Sequence, residues 1–120
     1  MSKPVVFIIE DDARLNNIAS ITLQSDFEIE SFMDGTTAAQ RLDVFVPDLV
    51  VLDLHVPGFS GMELLKKVRS DERLVRTRVI LTTADERQAE TLTDAADIVL
   101  LKPVSPGQLR ELAQRMSQKT

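Results

Sequence analysis

Polar side chains capable of acid, metal-binding or nucleophilic chemistry follow the ends of short apolar runs in this sequence. In chain order they are Glu10, Asp11, Asp12, Asp53, Thr83 and Lys102. If the apolar runs are strands of one parallel sheet, their carboxyl ends lie at the same edge, where such sheets bind ligands. The pattern therefore predicts one pocket that holds several carboxylates, a hydroxyl and an ammonium group.

The chemistry of that pocket is restricted by electrostatics. Neighbouring carboxylates repel, and their pKa values rise unless a cation compensates. Mg²⁺ prefers carboxylate, water and phosphate oxygens, so it is the cation that this donor set favours. A nucleophilic carboxylate, a metal, a lysine and a hydroxyl together suit phosphoryl transfer, in which positioning and charge neutralisation supply most of the catalysis.

The elements that position these residues alternate along the chain. The predicted strands are residues 5–9, 27–30, 49–52, 79–81 and 98–101. Helical patterns follow each strand, including short ones at about 36–42 and 85–92 and one with capping-box spacing at Ser60 and Glu63. Strict alternation predicts an α/β fold with a doubly wound parallel sheet between two helical layers. Residues 1–120 are expected to form one domain.

Composition excludes several classes of function. The chain has no Cys and only one His, His55, so thiolate zinc sites and multi-histidine metal sites are excluded. The formal charge is −5 and the basic residues are scattered, so we expect no direct nucleic-acid binding. No apolar run approaches the ~20 residues that span a bilayer, so we expect no membrane association. The start of the chain does not resemble a signal peptide, and we therefore expect a cytoplasmic location.

The sequence resembles the receiver domains of bacterial two-component response regulators over its whole length. The resemblance rests on four motifs: Glu10-Asp11-Asp12, Val51-Leu52-Asp53 with Pro57 and Gly61 after it, Thr83-Ala84, and Lys102-Pro103. Each motif alone is weak, but four in this order at strand ends are specific. The resemblance implies a flavodoxin-like sheet of order 2-1-3-4-5 with five helices.

The resemblance also implies roles for the acidic residues. Asp53 would accept a phosphoryl group from the phosphohistidine of a kinase or phosphotransfer protein. Asp12 and Asp53 would bind Mg²⁺ through their carboxylates, Asp11 would act mostly through water, and the backbone carbonyl of His55 would complete the protein ligands. Another reading is that Asp11 and Asp12 simply cap the first helix, where negative charge is favoured.

The remaining motifs imply contacts to the phosphoryl group. Thr83 would hydrogen-bond a phosphoryl oxygen, and Lys102 would pair first with the acceptor carboxylate and then with the phosphoryl group. Backbone N–H groups of Leu54 and Ala84 would hold further oxygens, and the Lys102–Pro103 peptide bond would be cis. Thr82 competes with Thr83 for the hydroxyl role, but only Thr83 is followed by alanine, as in the family.

The implied protein is a signalling domain that catalyses its own phosphorylation and dephosphorylation, rather than an enzyme acting on another substrate. Its partners would be a sensor histidine kinase or phosphotransfer protein and a downstream effector. The face formed by the fourth helix, fifth strand and fifth helix would serve homodimerisation. Two alternatives stay open: an unphosphorylated pseudo-receiver that only binds partners, and a haloacid-dehalogenase-type phosphatase. His55 argues against the phosphatase, which usually has a second Asp at that position.

Two features depart from the family pattern. Val99 occupies the place of the aromatic residue whose rotation usually accompanies phosphorylation, and a β-branched side chain cannot make that movement. Thr83 and Lys102 are 19 positions apart, about one helical turn fewer than in the family. Both departures predict unusual switching around the fourth helix.

Overall fold

The computed structural model describes residues 3–117 and consists of five strands and five α-helices in alternation. The strands are β1 (Val5–Ile9), β2 (Glu28–Phe32), β3 (Leu49–Asp53), β4 (Arg78–Thr83) and β5 (Ile98–Leu101). The helices are α1 (Ala13–Leu23), α2 (Gly35–Leu42), α3 (Gly61–Ser70), α4 (Glu86–Thr91) and α5 (Pro106–Ser117). Among the described residues, no helix has the length and apolar character needed to cross a membrane.

All strand pairs in the sheet are parallel, and the strand order is β2-β1-β3-β4-β5. Both features confirm the fold class predicted from the alternation and from the family resemblance. The chain reverses its direction of winding next to β1, so β1 and β3 lie side by side at the centre. Ligands bind outside the carboxyl ends of the strands at such a point.

Two apolar layers cover the faces of the sheet, which explains why the central strands are apolar without alternation. Along β3, Val50 and Leu52 pack on the side of α2 and α3, while Leu49 and Val51 pack on the side of α1 and α5. All five residues of β3 are buried. Asp53 therefore lies at the end of a strand that is rigidly packed on both faces.

Several element boundaries differ from the sequence prediction. The second strand is shifted to Glu28–Phe32, and a 3₁₀ turn at Glu72–Leu74, which the periodicity did not reveal, precedes β4. The predicted capping box of α3 is confirmed: Ser60 Oγ accepts the N–H of Glu63, and Glu63 Oε1 accepts the N–H of Ser60 at 3.0 Å. That reciprocal pair supplies acceptors for two N–H groups at the start of α3.

Candidate functional site

Three acidic side chains meet at the carboxyl edge of the sheet. Glu10 directly follows β1, and Asp53 is the last residue of the neighbouring β3. Together with Asp11 they offer carboxylate oxygens that all lie within 4.8 Å of one another. Glu10 and Asp53 are only 8% and 5% exposed, whereas Asp11 is open to solvent. The strand ends thus converge as the sequence predicts.

Lys102 places a positive charge between two of these carboxylates. Its Nζ lies 2.8 Å from Glu10 Oε1 and 3.2 Å from Asp53 Oδ2. Burial raises the pKa of Glu10 despite the hydrogen bond from Lys102. Burial by itself would lower the pKa of Lys102, but its hydrogen bonds to Glu10 and Asp53 outweigh that effect and leave the pKa raised. The Lys102–Pro103 peptide bond is cis, as predicted.

Both oxygens of Asp53 have defined partners. Oδ2 faces Lys102, and Oδ1 accepts the backbone N–H of His55 at 3.1 Å. The Leu54 N–H, expected to hold a phosphoryl oxygen, donates here to the Thr82 carbonyl at 3.0 Å, as the β3–β4 ladder continues past Asp53. The N–H that points to the Asp53 carboxylate belongs to the residue after Leu54, His55, whose side chain is exposed.

Asp12 does not join the carboxylate cluster. Its side chain caps α1, with Oδ1 accepting the N–H groups of Arg14 and Leu15 at 2.9 and 3.1 Å. The Asp12 N–H donates to Glu10 Oε2 at 3.0 Å. The first turn of a helix has free N–H donors, and the residue just before Ala13 is the one placed to accept them. The choice of Asp12 as a direct metal ligand therefore does not agree with this geometry, and Glu10 and Asp11 take the positions beside Asp53.

The two threonines at the end of β4 lie on opposite faces of the sheet, as strand alternation requires. Thr82 is paired in register with Asp53 and lines the same cavity. Thr83 is fully buried, and its Oγ1 accepts the backbone N–H of Asp85 at 3.1 Å. Its carbonyl accepts the Lys102 N–H at 2.8 Å. Thr83 is thus hydrogen-bonded both to the backbone of Lys102, just after β5, and to the loop that begins with the exposed residue Ala84.

Asn16 is a site residue that the sequence analysis missed. It is 5% exposed, and its Nδ2 donates to the carbonyls of Glu10 and Phe32 at 3.0 and 3.1 Å. These bonds hold the end of β1 against the end of β2. The sequence offers only a weak signal for Asn16, because the neighbouring apolar residues Leu15 and Ile18, which have helical spacing, are themselves 39% and 41% exposed.

A cavity of about 330 Å³ opens beside Asp53, between α1 and the loop that leads into α5. Apolar side chains of α1 and of the loop form its walls, including Leu15, Ile18 and Val104. Polar residues complete its lining, namely Glu10, Asp53, Thr82 and Lys102. An exposed apolar rim around a buried carboxylate is suited to docking a partner next to that carboxylate.

A larger concavity of about 830 Å³ lies at the opposite edge of the sheet, far from this chemistry. Arginines line it, and Arg69 among them is bonded within the fold. Arg69 Nη2 lies 2.7 Å from Asp97 Oδ2, and the same guanidinium donates to the carbonyls of Ala95 and Thr77. These bonds fasten the segments that enter β4 and β5, and we assign this concavity a structural role.

The region of the two family departures is lightly packed. Val99 is only partly buried, and it packs against the core from β5. The helix α4 has six residues, none of which is buried. The short fourth helix expected from the sequence spacing is therefore present. Because none of its residues is buried, the hydrogen bonds at its start contribute a large share of its stability.

The carboxylate cluster fits Mg²⁺ by the nature of its donors. Its three side chains offer hard oxygen atoms, Lys102 occupies one side only, and Asp11 is open to water. Mg²⁺ is bound in proteins by one or two carboxylates together with waters and phosphate oxygens. The buried carboxylate of Asp53, with a lysine and a backbone N–H on its oxygens, is held in a defined orientation within this cluster.

Comparison with known proteins agrees with the fold. The family described as "Response regulator receiver domain" matches residues 6–114. The phosphate regulon transcriptional regulatory protein PhoB of Rhizobium meliloti (strain 1021) is 31% identical over 117 residues, covering 94% of this chain and 52% of that protein. The transcriptional regulatory protein TrcR of Mycobacterium tuberculosis (strain ATCC 25618 / H37Rv) is 31% identical over 115 residues, 92% of this chain and 43% of that protein. The chain spans about half the length of these two relatives.

Solved structures show the same fold. The BeF₃-activated receiver domain of DrrB, a Thermotoga maritima protein, superposes with a TM-score of 0.87 at 26% identity, covering 98% of this chain and 99% of that one. The chemotaxis response regulator CheY4 of Vibrio cholerae superposes with a TM-score of 0.86 at 24% identity, covering 96% and 99%. The chain belongs to the receiver domain family of two-component response regulators.

Proposed function

We propose that the domain accepts a phosphoryl group on Asp53 and thereby switches its contacts with partner proteins. The observation that carries this proposal is the arrangement around Asp53: a buried carboxylate, clustered with Glu10 and Asp11, whose oxygens face Lys102 and the His55 N–H. A carboxylate in that setting is held in one orientation by one positive charge and one backbone N–H donor.

In the proposed reaction a carboxylate oxygen of Asp53 attacks the phosphorus of a phosphohistidine or of a small phosphodonor. The bond from phosphorus to the donor breaks: the imidazole of phosphohistidine leaves and takes up a proton, whereas acetyl phosphate releases acetate. Asp11, Asp53 and the backbone carbonyl of His55 would hold Mg²⁺, with Glu10 acting through water. The bound ion supplies charge neutralisation for the phosphoryl oxygens.

The other residues of the site keep the phosphoryl group in place. Lys102, now bonded to Glu10 and Asp53, exchanges its contact with Asp53 Oδ2 for one with a phosphoryl oxygen. The His55 N–H stays directed at the acceptor. Thr83 lies on the face of β4 opposite to that of Thr82, and its hydroxyl accepts the Asp85 N–H. It reaches the phosphoryl group only after its hydroxyl leaves that N–H. Ala84, which starts the loop, offers a further N–H there.

The partners proposed are a sensor histidine kinase or phosphotransfer protein and a downstream effector, in the cytoplasm. The exposed apolar side chains of Leu15 and Ile18, beside the cavity that reaches Asp53, form a suitable surface for a helical phosphodonor. The face formed by α4, β5 and α5, where Leu101 is 44% exposed, is proposed as the surface for homodimerisation.

Phosphorylation by acetyl phosphate with Mg²⁺ tests the proposal, with intact mass as the measurement. The protein should gain one phosphoryl group, and Asp53→Asn should gain none. Asp94→Asn, a matched change at an exposed aspartate away from the cluster, should be labelled like the parent. Labelling of Asp53→Asn at the parent's rate would refute the choice of acceptor. No labelling of the parent, together with no beryllofluoride binding, would leave a module that only binds partners.

A further inference from the structure

Two helices of this domain start with the same sequence signal but with different hydrogen bonds. The signal is an oxygen-bearing N-cap residue followed three positions later by Glu or Gln. In α3, Ser60 and Glu63 satisfy both halves of the box. In α4, Asp85 is the N-cap and Gln88 is the third helical residue.

Only one half of the box is formed in α4. Asp85 Oδ1 accepts the N–H groups of Arg87 and Gln88 at 3.0 and 3.2 Å. The reciprocal bond is missing, because the backbone N–H of Asp85 donates to Thr83 Oγ1 instead. Gln88 Oε1 is buried and has no hydrogen-bond partner in the part of the chain that the structure describes.

The Asp85 N–H is bonded to Thr83, and capping-box spacing makes Gln88 the second candidate acceptor for it. A buried acceptor without a donor is unfavourable, so the present arrangement leaves Gln88 able to take that N–H whenever Thr83 gives it up. The helix concerned has six residues and no buried side chain, so bonds at its first turn control much of its order.

We infer that Gln88 is a positioning residue that frees Thr83 for the phosphoryl group by completing the capping box of α4. This inference rests on the function proposed above, in which Thr83 turns toward phosphorylated Asp53. When the Thr83 hydroxyl leaves, the Asp85 N–H passes to Gln88 Oε1 and stays bonded. Phosphorylation of Asp53 thereby changes the hydrogen bonding at the start of α4. This coupling needs no aromatic side chain at position 99, where this chain has Val99.

Beryllofluoride with Mg²⁺, a mimic of the phosphoryl group, measures the effect on switching. Gln88→Leu removes the second acceptor, so the bound state loses one hydrogen bond, and affinity should fall about fivefold. Gln88→Glu keeps an acceptor and should bind like the parent. Glu90→Leu, at an exposed position of the same helix, is the matched control and should leave the affinity unchanged.

A double-mutant cycle on urea unfolding tests the competition without any phosphoryl mimic. In the parent, Gln88→Leu should not lower the urea midpoint, because Gln88 Oε1 has no bond to lose. In a Thr83→Val background the Asp85 N–H should already bond Gln88, so adding Gln88→Leu should lower the midpoint.

The outcomes separate the two proposals. If the parent binds no beryllofluoride, the phosphoacceptor function fails, while the unfolding cycle still reports on Gln88. If the parent binds it and Gln88→Leu binds equally tightly, the role of Gln88 in switching is refuted. Additive effects of the two substitutions on the urea midpoint would show that Thr83 and Gln88 do not compete.

Discussion

Replacing Lys102 by methionine should destabilise the metal-free protein at neutral pH. The Lys102 ammonium makes two charged hydrogen bonds, to Glu10 and Asp53, whose side chains are only 10% and 6% exposed. Without it, two buried carboxylates face each other with no cation. Removing one partner of a buried ion pair costs about 3–5 kcal/mol, and the 23% exposure of the Lys102 side chain places this case at the lower end of that range. A loss of about 3 kcal/mol corresponds to a melting temperature lower by roughly 10 °C for a domain of this size.

The loss should depend on pH with a defined sign. The pKa of Glu10 is already raised by burial, and removing the cation raises it further. A carboxyl group with a raised pKa in the folded state binds protons more readily there than in the unfolded chain. Its contribution to stability is therefore lost as pH rises through the range between the two pKa values. The deficit of Lys102→Met relative to the parent should shrink on acidification to about pH 5.

Urea unfolding followed by circular dichroism, in EDTA at about pH 8 and about pH 5, measures both effects. Lys66→Met is the matched control, since Lys66 is exposed on α3. Mg²⁺ should restore part of the lost stability at the higher pH, because the metal replaces the missing positive charge. A deficit no larger than that of Lys66→Met, or one that grows on acidification, would refute the electrostatic account of this cluster.

Three further predictions concern neighbouring residues. Asp11→Ala should abolish Mg²⁺ binding in calorimetry at little cost in stability, whereas Asp12→Ala should keep Mg²⁺ binding and lower the unfolding free energy by about 1 kcal/mol through loss of the α1 cap. The opposite pattern would return Asp12 to the metal site. Asn16→Ala should cost about 2 kcal/mol in urea unfolding, because the buried Glu10 carbonyl loses its donor, whereas the Phe32 carbonyl keeps the Glu10 N–H; a neutral result would show that another group satisfies the Glu10 carbonyl. Beryllofluoride with Mg²⁺ should shift the amide resonances of Glu86–Thr91 more than that of Val99, and the reverse would identify β5 as the moving element.

The fold and the convergence of Asp53 with Lys102 could be predicted from the sequence because the signals are local and repeated. Four apolar runs and one alternating segment, residues 27–30, are separated by helical patterns, and a parallel sheet with covered faces accommodates runs that are apolar at every position. Once the strands are parallel, their carboxyl ends share one edge. Asp53 and Lys102 then converge whatever the lengths of the connections, and the structure places them 3.2 Å apart.

The role that each of several adjacent residues takes, as helix cap or as member of the carboxylate cluster, depended on tertiary structure. Three consecutive acidic residues follow β1, and their composition does not tell which one caps α1. The helix begins at Ala13, so Asp12 becomes the cap, and Glu10 and Asp11 remain beside Asp53. The inward face of α1 was also ambiguous, because Leu15 and Ile18 have helical spacing but border the exposed cavity, while Asn16 is buried.

The hydrogen bond from the Asp85 N–H shows the same division between local signal and tertiary structure. The sequence contains Asp85 and Gln88 at capping-box spacing, and on local grounds Gln88 should accept that N–H. It does not, because the end of β4 brings the Thr83 hydroxyl to the same donor first. A short-range pattern can state which groups are able to bond, but when two acceptors compete for one N–H, the packing of strand against helix decides which of them is bonded.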